Sequence, residues 1–270
     1  MPLPFIVGRD LVGKVVSVGP EVTNFKVGEL VWSNNQGYGG RQGAAAELLC
    51  VQENYLYPLP AGADPVETVA VLHSALTAVA GLFWKAQVKS GETIFINGGS
   101  GNVGSAIIQL AKSRGARVAV TAGNAAKRDW AIECGADLVI DYHNENIETQ
   151  LSHFSPQGID IFWDTSGKPD FETALPSMAQ RGRMIIMAGL HNRASIPLGL
   201  FYTKNLTLFG FTITSLSVAE LAAGASAISE NLQILKAKIH SKMRLSETAE
   251  AHKLIESGKL FGKIILLPDD

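Results

Sequence analysis

TIFINGGSGNVG, residues 93–104, is an apolar β-run that stops at a glycine-rich turn just where the amphipathic run VGSAIIQLAKSRG begins. That order is how a strand hands the chain to a phosphate-binding helix. Gly99, Gly101 and Gly104 give the spacing G-x-G-x-x-G. The first is expected to permit a tight turn, the second to let a pyrophosphate approach the backbone, and the third to allow close helix packing. The open N–H groups and the dipole of the helix N-terminus then face the anion. Gly-Gly-Ser-Gly is also an ordinary flexible turn, so the flanking sequence has to decide.

Outward from that turn the chain repeats a strand-then-helix rhythm. ARVAVTA reads as a second strand, AAKRDWAIECG as a helix ending at Gly135, and ADLVIDY as a third strand. IDIFWDTSG, GRMIIMAG and NLTLFGFTI supply three more β-rich segments, with helical patterns at NIETQLSHF and DFETALPSMAQ. Short buried strands alternating with helices argue for an α/β fold with a doubly wound parallel sheet, its ligand crevice beyond the strands' carboxyl ends. The flanks differ. Residues 1 to about 75 carry glycine and short β-patterns, VGKVVSVG, VGELVWS and AAAELLCV, around the loop SNNQGYGGRQG. After about residue 214 come the helical runs SVAELAAGASAISENLQILK and LSETAEAHKLIESG and the terminal strand KIILLP, which is expected to pair with the opening domain.

The second strand speaks to the dinucleotide. A cofactor with free ribose hydroxyls usually meets an acid about 20 residues beyond the glycine motif, and such an acid would repel a 2′-phosphate. Between Gly115 and Arg128 there is none; Thr121, Asn124, Lys127 and Arg128 stand there instead and suit a phosphate monoester. NADPH is therefore expected over NADH, although adjacent bases such as Lys127 and Arg128 also make a plain solvated helix face.

Composition fits a compact enzyme without selecting one. The chain has 270 residues, 46% of them hydrophobic and 18% charged, enough for a substantial core in one large or two ordinary domains. A formal charge of -2 gives no general attraction to nucleic acid or to an anionic membrane. The run VAVLHSALTAVAGLFW reads as too short and too interrupted to span a bilayer. No signal-like segment opens the chain, and Cys50 and Cys134 are far apart, which favours the cytoplasm. Two cysteines supply neither a four-cysteine lobe nor a Cys-x-x-Cys site, and the six histidines form no H-E-x-x-H, so no metal is expected.

The strings PFIVGRDLVGKVVSVGPEVTNFKVGELVW, GETIFINGGSGNVGSAIIQLAKSRGARV, RGRMIIMAG and AEAHKLIESGKLFGKIILLP resemble, in that order, the zinc-independent quinone oxidoreductases, the zeta-crystallin-like group of the medium-chain dehydrogenase/reductase superfamily. The resemblance runs from about residue 2 to residue 268. It implies a Rossmann NADPH-binding domain at 76–213 and a GroES-like catalytic domain from 1–75 and 214–270. It also implies NADPH-dependent reduction of quinones or α,β-unsaturated carbonyls, and a homodimer formed by edge pairing through Leu206 to Ile213. By the same resemblance Gly99, Ser100, Gly101, Asn102, Val103, Gly104, Gly189, Phe211 and Lys263 line the cofactor, with Asn124, Lys127 and Tyr142 at its 2′-phosphate and adenosine. Zinc-dependent relatives carry a ligand histidine in a Gly-His-Glu segment; here the residues are Gly8, Arg9 and Asp10, and a guanidinium is no zinc ligand. Family members carry about fifty residues ahead of the segment matching Pro4 to Asp10. A truncated chain, a short isoform or a mis-started gene would each lack part of one wall of the active cleft, so that binding would outlast catalysis.

Hydride transfer to a conjugated acceptor develops charge on an oxygen, which calls for a hydrogen-bond donor and a proton source. Thr77 matches a family position near the nicotinamide and is expected to donate its hydroxyl, unless that hydroxyl bonds its own helix. His73, one turn earlier, suits proton delivery if its pKa is near neutral, unless it is a core histidine. Tyr38 and Arg41 in GYGGRQG are weaker candidates for contact with a substrate oxygen. Two other readings stay open. One is an enoyl-thioester reductase of the same superfamily. The other is a catalytically impaired NADPH-binding protein that takes RNA on Lys236, Lys238, His240, Lys242 and Arg244, a patch better read as a solvated edge strand.

Overall fold

The computed structural model describes residues 5–269. The chain divides into two compact units, one from residues up to 76 together with those from 213, the other from residues 77–212.

The first unit opens with β1 (Leu11–Lys14), β2 (Leu30–Ser33) and β3 (Tyr57–Pro58), an antiparallel sheet in the order β1-β2-β3. Trp32 is buried at its centre, its ring 4.8 Å from that of Tyr57. AAAELLCV, expected as a strand, forms no regular element. Ala44 and Ala45 bond to the carbonyls of Gly8 and Val7, and Leu48 then points to solvent, so no ladder continues along the run.

Helix α1 (Pro65–Val79) begins where Asp64 Oδ1 accepts the N–H groups of Val66 and Glu67, with proline at its first position. The division between the units falls inside it. It runs on through Lys85 in π geometry, the N–H of Ala86 reaching the carbonyl of Gly81. At 21 residues, helix 65–85 is long and apolar enough to cross a membrane by length and composition, longer than the sequence run suggested. Its most apolar window is 72% buried inside the protein, the position of a core helix.

In the second unit the chain alternates as the rhythm predicts: β4 (Thr93–Asn97), α2 (Asn102–Ser113), β5 (Arg117–Thr121), α3 (Ala125–Glu133), β6 (Leu138–Ile140), α4 (Ile147–Phe154), β7 (Ile159–Asp164), α5 (Phe171–Ser177), β8 (Met178–Ile186), α6 (Leu198–Thr203) and β9 (Thr207–Gly210). The six strands form one parallel sheet in the order β6-β5-β4-β7-β8-β9. The first strand lies beside both the second and the fourth, the strand order of a Rossmann domain. Phe95, Ala119 and Phe162 face a core shared with Leu151, Phe171 and Leu175 on one side. Their neighbours Ile94, Ile96, Val118, Val120, Ile161 and Trp163 alternate to the other side and are equally buried. Covered on both faces, these strands carry the continuous apolar runs read from the sequence. DFETALPSMAQ is a helix only as far as Ser177. Pro176 cannot support further helix, and Met178 already begins β8.

The first unit is completed by α7 (Val218–Asn231), β10 (Ile239–Arg244), α8 (Thr248–Glu256) and β11 (Lys263–Leu267). Ser217 and Glu220 form a capping box at the start of α7. The terminal strand β11 pairs in parallel with β10 rather than with the opening sheet. Along β10 the exposed residues alternate, placing His240, Lys242 and Arg244 on its solvent side, as an extended reading of the basic segment requires.

Candidate active site

The glycine loop sits at the carboxyl end of β4, where the sheet order reverses. The tight turn is made by Gly98, at φ +90°, and not by Gly99 as the motif spacing suggested. Gly99 is required for a different reason: a Cβ there would lie 2.3 Å from Cβ of Val120 on β5. A Cβ on Gly104 would lie 2.3 Å from the carbonyl oxygen of Gly98, so α2 is drawn tightly against the loop, as expected of the third glycine. Gly101 caps α2, and nothing lies closer than 3.5 Å to where its Cβ would be. The first helical bond of α2 is donated by Ser105 to Gly101. The N–H groups of Asn102, Val103 and Gly104 thus form the open first turn of a twelve-residue helix, with Gly101 and Asn102 exposed beside it. Two close-packed glycines and an open helix N-terminus fit a pyrophosphate.

Beyond β5 the chain turns at Gly123 into α3. Asn124 caps this helix, its Oδ1 accepting the Lys127 N–H at 3.0 Å. The Tyr142 hydroxyl covers Gly123, since a Cβ there would lie 2.3 Å from it. The ring is half-exposed and stands 4.3 Å from that of His143. Asn124 and Tyr142 thus border Gly123 at the carboxyl end of β5, and Lys127 lies in the first turn of α3, its N–H tied to Asn124. Two residues considered with them have other partners. Arg128 pairs with Asp141 at 2.6 Å, which neutralises it. Thr121 is 1% exposed and turned into the glycine loop, so it faces no phosphate.

On the other half of the sheet, Gly167 and Gly189 both have positive φ and their loops touch, a Cβ on Gly189 falling 2.1 Å from the Gly167 carbonyl oxygen. Phe211 follows β9 and meets Trp163 edge-on at 6.2 Å. These two expected cofactor residues thus border the carboxyl ends of β7, β8 and β9.

Lys263 lies in the first unit, on β11, within electrostatic reach of Asp10. Burial lowers the Lys263 ammonium below its usual range against the pull of that carboxylate. Burial also raises Asp10 to about 6, opposed by Lys263, the His73 backbone and Arg9, and Asp10 Oδ1 is sealed without a hydrogen-bond partner. His73 on α1 is held down to about 4, first by burial and then by Lys263 and Arg9. The near-neutral titration expected of it is therefore corrected: at pH 7 it is a neutral imidazole. Thr77 is 4% exposed. Arg41 donates to the Asn35 carbonyl at 2.9 Å and lies 4.2 Å over the Tyr55 ring, which makes it a brace of its own loop. Tyr38 is exposed, with the Arg9 guanidinium 5.9 Å from its ring centre. Arg9 itself donates to the carbonyls of Gln36 and Gly37 at 3.1 and 3.2 Å. Among the described residues no group of three or more His, Cys, Asp or Glu is placed to hold a metal ion.

Sequence reasoning missed Gly98 and the pair Asn97 and Asp164, which join the ends of β4 and β7 at 2.9 Å. The glycine doublet was a signal for the first; a strand-terminal Asn and Asp far apart in sequence carried none.

Residues 102–230 match the family described as zinc-binding dehydrogenase, and residues 1–61 the family described as alcohol dehydrogenase GroES-like domain. A quinone oxidoreductase of Pseudomonas aeruginosa is 30% identical over 98% of this chain and 83% of its own length. The crystal structure of a quinone oxidoreductase from Pseudomonas syringae pv. Tomato superposes with a TM-score of 0.84 at 28% identity, covering 99% of this chain and 84% of that one. A mycobacterial protein solved in complex with NADPH gives the same TM-score and coverage at 25% identity.

Proposed function

The chain belongs to the quinone oxidoreductases of the medium-chain dehydrogenase/reductase superfamily, and from that premise we propose that it oxidises NADPH to reduce quinones or α,β-unsaturated carbonyls without a metal ion. It is an oxidoreductase, and its relatives support a nicotinamide cofactor. The choice of NADPH rests on one observation. Asn124 and Tyr142 border Gly123, Lys127 lies in the first turn of the helix that Asn124 caps, and no carboxylate occurs from Ala116 to Arg128. Asp141, the acid paired with Arg128, also accepts from Asn144 at 3.0 Å.

In this reading the open N–H groups of α2 hold the pyrophosphate, Lys127 and Asn124 hold the 2′-phosphate, and Tyr142 lies against the adenosine. NADPH, when bound, supplies the hydride. Gly99 and Gly104 keep the loop close enough for backbone donors to meet the phosphates without a side chain intervening. Metal independence is supported by Arg9, which stands where zinc-dependent relatives have a ligand histidine and instead donates to two backbone carbonyls. A homodimer through β9 is part of the proposal, because β9 ends the six-stranded sheet and among the described residues pairs only with β8.

The test is nicotinamide absorbance during NADPH oxidation with an ortho-quinone, with NADH and a simple enone in parallel. Turnover selective for NADPH and insensitive to chelators is expected. Equal use of NADH would reject the 2′-phosphate site, and no turnover despite NADPH binding would reject the reductase. Sedimentation as a monomer at micromolar concentration would reject the dimer.

A further inference from the structure

The carboxyl ends of β5, β4 and β7, neighbours in the sheet, are joined by a chain of hydrogen bonds that ends on the glycine loop. The Gly98 N–H donates to Thr121 Oγ1 at 2.8 Å. That hydroxyl has a single hydrogen, which goes to Asn97 Oδ1 at 2.9 Å. The Asn97 amide is thereby oriented, and its Nδ2 donates to Asp164 Oδ2 at 2.9 Å. Asp164 closes the chain as an acceptor at both oxygens, since Oδ1 takes the N–H and the hydroxyl of Ser166 at 2.9 and 2.8 Å. Two further bonds fix the same loop: Gly99 N–H to the Thr121 carbonyl at 3.2 Å, and the Thr165 hydroxyl to the Asn97 carbonyl at 2.7 Å. Thr121 and Asp164 are each 1% exposed.

We propose that Thr121 is a positioning residue for the cofactor loop, the last member of a directional relay Asp164–Asn97–Thr121–Gly98 that sets the loop before the cofactor arrives. Each link in the relay has one direction, from the Gly98 N–H to the Asp164 carboxylate. Reversing the Asn97 amide would oppose its oxygen to Asp164, and removing the Thr121 hydroxyl would take away the acceptor of the half-buried Gly98 N–H. With Gly98 tied inward, residues 100–103 project outward and the open turn of α2 is presented without a search for its conformation. A pyrophosphate then meets donors already in place, which favours binding by reducing what must be ordered on association. The relay includes none of Asn124, Lys127 and Tyr142, so its effect falls equally on every dinucleotide. The inference rests on the cofactor reading above.

The experiment is calorimetric titration of the full chain with NADP+ and with NAD+, comparing the unaltered protein with Thr121→Val and Thr121→Ser. Thr121→Val is expected to weaken both dinucleotides by the same factor, about tenfold, while kcat at saturating cofactor stays within about twofold. Thr121→Ser, which keeps the hydroxyl, is expected to restore both affinities. Wild-type affinity in folded Thr121→Val overturns the proposal, as does a loss confined to NADP+. If Thr121→Val does not fold, Asn97→Asp carries the same test, because it keeps the acceptor for Thr121 and opposes two carboxyls at Asp164; unchanged affinity there overturns the relay. Binding of neither dinucleotide to the unaltered chain overturns the cofactor reading itself, a result distinct from normal binding in all variants.

Discussion

A Cβ on Gly81 would lie 1.9 Å from Cη2 of Trp163, so the π-helical continuation of α1 and strand β7 meet with no space for even a methyl group. The indole is fully buried, its N–H directed to Met187 Sδ at 3.3 Å and its edge to Phe211. It has nowhere to retreat. Gly81→Ala is expected to destabilise the protein by about 2–3 kcal/mol, as overpacking of a filled core does. The check is a urea titration, where the midpoint should fall with little change in slope. A midpoint equal to that of the parent protein would mean that helix and strand can separate freely.

Lys127→Ala should separate the two nicotinamide dinucleotides. A lysine whose helix is capped by Asn124, beside a tyrosine over Gly123, favours a phosphate monoester and gains nothing from a ribose hydroxyl pair. Affinity for NADPH is expected to fall about tenfold, with NADH unchanged within about twofold. Equal loss of both would remove Lys127 from the phosphate site. Raised ionic strength should reproduce the same bias, because it screens the partly exposed Lys127 charge.

Lys204 makes a prediction about stability alone. Its ammonium donates to the carbonyls of Leu175, Pro176 and Met178 at 2.9, 2.7 and 2.8 Å, closing the C-terminal end of α5 where Pro176 breaks the helix. Burial holds its pKa below the ordinary lysine value. Lys204→Met preserves the stem and deletes the three donors. Its expected cost is about 1–3 kcal/mol in thermal or chemical denaturation, with cofactor affinity unaltered.

The sequence was most legible where one local rule decided the outcome. An apolar run ending in Gly98-Gly99 and followed by a helical period shows as β4, turn and α2, because turn and period are encoded within a dozen residues. The alternation of exposed bases along β10 was readable for the same reason. What could not be read depends on residues distant in sequence. The π continuation at 80–85 is tied to Trp163 across about eighty positions, and the relay at Asn97 draws on Thr121 and Asp164 from two other strands. His73 shows the limit most clearly. Its neighbours in sequence say only that it lies in an apolar helix, whereas its titration is set first by the depth of its burial and then by Lys263 and Arg9 from opposite ends of the chain.

That opposition gives the pH prediction. His73 has a folded pKa of about 4, below its ordinary 6.5, so the unfolded chain binds the extra proton. Its contribution is full above 6.5 and is lost as pH falls towards 4. Asp10 runs the other way. Its folded pKa of about 6 lies above the ordinary 3.8, so here the folded chain holds the extra proton, and the contribution is full below 3.8 and lost as pH rises through 6. Each shift corresponds to about 3 kcal/mol over its whole window, so between pH 4 and 6 the two nearly cancel. Asp10→Asn removes one side of the balance. The variant should be more stable than the parent at pH 7, because an ionised carboxylate with a sealed and unpaired oxygen is gone, and its stability should fall more steeply between pH 6.5 and 4. Denaturation midpoints measured across that range check both signs. A variant less stable at pH 7 would show that the attraction of Asp10 to Lys263 outweighs its burial.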